Sequence, residues 1–74
     1  MGRMASIVAT RMIKAFVRLG WKLDHSTGSH HFMSGPGERR ISIPVHKGKT
    51  LKQGTARQIL KDAGVGEDEF FDVY

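Results

Sequence analysis

Four histidines, His25, His30, His31 and His46, stand in a chain with no cysteine. Imidazole has a reference pKa of roughly 6.5, so these are the side chains suited to exchange protons near neutral pH. Their surroundings separate them. His30 and His31 follow Gly28-Ser29, and His46 precedes Lys47 and Lys49. Three kinds of chemistry compete. A metal site is disfavoured, because adjacent residues on a strand point to opposite faces and no Asp or Glu lies at a ligand-like spacing. No metal and no cofactor are therefore expected. General acid–base chemistry at a phosphodiester is the second reading. RNA carries its own nucleophile, the 2′-hydroxyl, and needs a base, an acid for the departing 5′-oxygen and positive charge at the phosphate. Each proton-transfer role is worth roughly 10²–10⁴-fold in rate. DNA lacks that hydroxyl and usually recruits a metal, so the same residues favour RNA. The third reading is structural: His25, before Ser26, fits a turn, and Trp21 and Phe32 fit the core better than a base-stacking role.

These residues need elements to position them. Ile7, Val8, Met12, Ile13, Phe16, Val17 and Leu19 recur near helical spacing, with Arg11, Lys14 and Arg18 on the other face. A helix over 7–19 is expected, with Ser6 or Thr10 as its cap and Gly20 as its stop. Trp21–Asp24 alternates as a short strand, Ser26–Gly28 is a turn, and Ser29–Met33 is a second strand. Ser34–Gly37 is dense in turn residues, and Arg40–Val45 alternates again with Ile41, Ile43 and Val45 on one face. Pro44 cannot donate to a ladder, which places that strand at an edge or ends it there. A basic loop over 46–53 leads to a helix over Ala56–Ala63, capped by Thr55 and stopped by Gly64. Glu67–Phe71 adds a helical turn that docks Phe70 or Phe71. The expected fold is α+β, α-β-β-β-α, a three-stranded antiparallel sheet with two helices on one face.

A chain of 74 residues holds one domain, here spanning 1–74, with a flexible start over 1–5 and an acidic tail over 65–74. Residues 1–64 carry all twelve Lys and Arg and only Asp24, Glu38 and Asp62 as acids. Such a basic body attracts polyanions, of which nucleic acid is the commonest inside cells. The tail carries the other four acids, which either cover the basic surface or cap the fold. No apolar run approaches the roughly 20 residues of a membrane span, and the start lacks a secretory pattern, so a cytoplasmic location is expected.

The segments Gly28-Ser29-His30-His31, Ile43-Pro44-Val45-His46, Leu51-Lys52-Gln53-Gly54-Thr55 and Ile59 to Gly64 form a joint pattern: G-S-H-H, P-V-H and L-x-x-G-T-x-x-x-I-L-x-x-A-G. In this it resembles the HicA family, the toxins of bacterial and archaeal HicA–HicB toxin–antitoxin pairs. The resemblance covers roughly residues 10–71. It implies a fold like a double-stranded-RNA-binding domain and a metal-independent mRNA endonuclease that arrests translation. It also implies a HicB-type antitoxin that binds the toxin and blocks its site. The family's catalytic His falls on His30, with His31 as second candidate, and His46 falls in a supporting position near phosphate. RNA contacts are expected from Lys22, Ser29, Arg39, Arg40, His46, Lys47, Lys49 and Lys52. The second proton comes from Lys or Arg, from water, or from a homodimer sharing one site. Two other classes use the same basic surface. One is a non-catalytic module that reads duplex RNA by shape, and the other an interaction protein whose basic face docks an acidic partner.

Overall fold

The computed structural model describes residues 3–74. Its first long element, α1 (Ala9–Arg18), buries Ala9, Met12, Ala15 and Phe16 and leaves Arg11, Lys14 and Arg18 exposed. The helix starts later than the apolar spacing predicts. Ile7 and Val8 are instead drawn into an extended connection: Val8 bridges Thr50, and the Leu51 N–H donates to the Ile7 carbonyl at 2.8 Å. Ser6 and Thr10 do not cap. Val8 is the cap residue, through its backbone, and its carbonyl receives the Met12 N–H at 2.9 Å. Of the first five residues, Arg3, Met4 and Ala5 belong to a 3₁₀ turn over Arg3–Ser6 with Met4 buried, while Met1 and Gly2 lie outside the described residues.

The sheet is formed by β1 (Lys22–Thr27), β2 (His30–Ser34) and β3 (Arg40–Pro44), antiparallel and in that order. The first hairpin turns at Gly28-Ser29, not at Ser26–Gly28, so β1 runs three residues beyond Asp24. A bulge between Leu23 and His25 lets Asp24 drop out of register. The second hairpin turns through a 3₁₀ segment, Pro36–Glu38. β3 is an edge strand and ends at Pro44, as the missing N–H requires. Because directly paired residues share a face, Met33, Ile41 and Ile43 point inward while His30, Phe32, Ser34, Ser42 and Pro44 point outward.

The inner face is covered by α1 and by α2 (Gln53–Ala63), which buries Ala56, Ile59, Leu60 and Ala63. α2 begins earlier than the apolar stripe predicts, at a Lys52 cap rather than Thr55, and ends as expected at Gly64, whose φ of 69° is a left-handed stop. A third helix, α3 (Glu67–Val73), packs on α1. Its Phe70 is fully buried, with its ring centroid 5.8 Å from that of Phe16. The architecture is α+β, a helix, three strands and helices in chain order. Among the described residues no helix is long and apolar enough to cross a membrane.

Candidate functional site

His30 opens β2 immediately after the Gly28-Ser29 turn and is exposed on the outer face of the sheet. It is paired across to Thr27 on β1 and to Pro44 on β3. The pairing with Pro44 has a consequence for His46. The chain leaves the sheet edge beside His30, so His46, Lys47, Lys49 and Lys52 follow in the loop that starts there. The loop is tied back at its root, where the Val45 N–H donates to the Ser29 carbonyl at 2.6 Å. His46, Lys49 and Lys52 line a cleft of about 400 Å³ with Pro44 and Thr55. Lys47 joins His46 and Lys49 in a neighbouring cleft of about 420 Å³ against Val8–Thr10. His46 and the loop lysines thus gather beyond the end of β3 that pairs with His30, while His30 itself lines neither cleft.

The other expected contacts divide. Lys22 and Arg40 flank Ser34 on the outer face, at the far end of β2 from His30. Four residues of strand separate the two ends, ~13 Å. Ser29 is half-buried in the turn, and its carbonyl is already engaged by Val45. Arg39 is turned away from the sheet face. Its Nη1 reaches the Asp62 carbonyl at 3.4 Å, and its guanidinium lies over Gly64, at the C-terminal end of α2. A cation there complements the exposed carbonyls of the helix end, which explains the displacement.

His31 lies on the opposite face from His30, as the strand alternation requires. It pairs with Ile43 and Ser26, is half-buried, and its Nδ1 is buried with no hydrogen-bond partner among the described residues. His25 is not in a turn. It sits on β1 opposite Phe32, with the two rings 4.7 Å apart and 16° from parallel. Phe32 likewise departs from its expected place in the core. Its register puts it on the outer face between His25 and His30, whose ring centroid is 6.4 Å away at 28°. The reason is parity: Met33 takes the inward position, so both its neighbours face out. Counting by twos from Ile41 and Ile43 would have revealed this had the pairing been known. Trp21, by contrast, is buried as expected. Among the described residues no three His, Asp or Glu side chains converge as a metal-binding group.

The acidic tail takes up part of the positive charge on the helical side. Arg3 pairs with Asp68 at 3.0 Å, and Arg11 and Arg18 donate to the carbonyls of Tyr74 and Val73 at 2.7 and 2.8 Å. The Arg11 guanidinium also lies 4.1 Å over the Tyr74 ring. These contacts cap the helical layer and leave the outer sheet face uncovered.

No curated protein matches the chain. The family described as the HicA toxin of bacterial toxin–antitoxin matches residues 9–65, which is more than half of the 74 residues. That span runs from the first residue of α1 past the end of α2 and contains His30, Pro44, His46 and the Leu51–Thr55 segment. With a helix, three antiparallel strands and a covering helix inside one matched stretch, the chain belongs to the HicA toxin family of bacterial toxin–antitoxin systems.

Proposed function

We propose that this toxin is a metal-independent endoribonuclease that cleaves mRNA in the cytoplasm and so arrests translation. The observation that carries the reading is the placement of His30. It is an exposed imidazole on an open sheet face, paired to the strand end from which the loop with His46, Lys47, Lys49 and Lys52 departs. In the reaction His30 removes the 2′-hydroxyl proton, or protonates the leaving oxygen. The 2′-oxygen attacks the adjacent phosphorus, the P–O5′ bond breaks, and the products are a 2′,3′-cyclic phosphate and a 5′-hydroxyl. Lys and Arg side chains offset the charge that builds on the phosphoryl oxygens. His46 is the supporting group on the phosphate side, and a lysine of the loop, water or a second copy of the chain supplies the remaining proton. The antitoxin partner, of HicB type, would silence the enzyme by covering His30.

The test is incubation of purified protein with single-stranded mRNA in EDTA, followed by analysis of fragment ends. The wild type is expected to give cyclic phosphate and 5′-hydroxyl ends, and His30→Ala to give no fragments. Equal cleavage by His30→Ala would sink the assignment of His30.

A further inference from the structure

The outer sheet face holds a feature that proton transfer does not use. Phe32 is half-buried there and lies apart from the side chains that pack against the core. Its ring lies within 16° of parallel to His25 and within 28° of parallel to His30, and both histidines are exposed. Three aromatic rings on neighbouring strands, standing on the solvent side of a sheet, form a short stack with open ends. The Phe32 ring is partly covered by His25, so the open faces of the stack belong to the two exposed imidazoles, and a flat ring is the occupant they fit.

The surroundings define the occupant. The stack is bordered on its own face by Thr27, Ser34, Ser42 and Pro44 rather than by a wide aliphatic surface. Cations stand at both ends, Lys22 and Arg40 at one and the Lys47–Lys52 loop at the other. The carboxylate on β1, Asp24, is held by the Ser34 hydroxyl at 2.9 Å. Flat rings between cationic ends match a polyanion that carries flat groups. A duplex keeps its bases stacked on one another, whereas a single strand can lay its bases on protein rings.

We propose that His25, Phe32 and His30 form a stacking platform for unpaired RNA bases, with Phe32 as its centre and the backbone steered by Lys22 and Arg40. Placing the cut bond beside His30 rests on the endoribonuclease reading, but the stacking itself needs no catalysis. His25 and Phe32 are then positioning residues that make the enzyme act on unpaired RNA.

The experiment measures binding of a short fluorescent 2′-O-methyl oligoadenylate, whose blocked hydroxyl prevents cleavage, alongside the duplex of the same strand. Phe32→Leu keeps an apolar side chain and removes the ring, and Phe32→Tyr keeps the ring. Loss of one base stack corresponds to roughly 5- to 140-fold in affinity. Phe32→Leu and His25→Ala are each expected to weaken single-strand binding by that range, and Phe32→Tyr to retain it. Duplex binding should be weak and indifferent to all three. Folding is checked by thermal denaturation. Should Phe32→Leu unfold, the exposed His25→Ala decides the matter. Single-strand binding within about twofold of wild type in folded His25→Ala and Phe32→Leu would overturn the platform. So would loss of antitoxin binding with oligonucleotide binding unchanged. Ring-dependent binding without any mRNA cleavage would leave the platform standing and remove the nuclease reading. Ring-independent binding with His30-dependent cleavage would do the reverse.

Discussion

Two adjacent imidazoles carry opposite expectations. His30 faces water and His31 faces the helices, with an Nδ1 buried and unpartnered among the described residues. Replacing an exposed side chain outside the buried core changes stability by about 0.5 kcal/mol or less. His30→Ala should therefore melt with the wild type while losing at least ~10²-fold in cleavage rate. His31→Leu removes a buried polar atom that has no partner, and leaving such an atom unsatisfied costs about 1–3 kcal/mol. Its denaturation midpoint should equal or exceed that of the wild type, with cleavage retained; a lost activity would show that His31 takes part. The opposed faces were legible from adjacency alone. Which of the two faced solvent was not, because that depends on the partner strands. Gly35 supplies a third case at this scale. A Cβ there would collide with the indole of buried Trp21. Overpacking of this kind costs about 1–3 kcal/mol, so Gly35→Ala should lower the urea midpoint by a corresponding amount.

At the level of elements, α3 (Glu67–Val73) lies beyond the span matched to the family yet completes the core of this chain. Phe70 is fully buried against Phe16, and the Val8 N–H donates to the Tyr74 hydroxyl at 2.8 Å. Phe70→Ala should cost about 3–5 kcal/mol, read from urea unfolding. An unchanged midpoint would mean that α3 does not hold the helical layer. The docking of a phenylalanine by this segment was readable from Glu67–Phe71. The start of α2 was not. Its apolar stripe begins at Ala56, but the helix extends back to Gln53 because a helix can begin with polar residues that its stripe does not register.

For the molecule as a whole, charge is divided between two sides. The tail and the C-terminal end of α2 occupy Arg3, Arg11, Arg18 and Arg39. Among the described residues, Lys22 and Arg40 on the outer face, and the lysines of the loop, have no such engagement. Binding of single-stranded RNA should weaken steeply with salt, with a slope of about −0.7 for each phosphate contacted. Four contacts would give about a 50-fold loss between 50 and 200 mM salt. Lys49→Ala should reduce the slope by about one contact, whereas Arg39→Ala should leave it unchanged. An equal change for both would place Arg39 back among the RNA contacts.

By itself the sequence determined the kind and order of the elements, the inward alternation of Ile41 and Ile43, the stop at Gly64 and the family pattern around His30. Each is a property of a few neighbouring residues, since periodicity, turn chemistry and motif spacing are local. Only the tertiary structure decided that Phe32 joins His25 and His30 outside the core, that Arg39 leaves the candidate site for the end of α2, and that the C-terminal segment engages Arg3, Arg11 and Arg18 on the helical side. Those outcomes depend on strand register and on packing between distant segments, and one residue of slip in register would have turned every side chain of β2 to the other face.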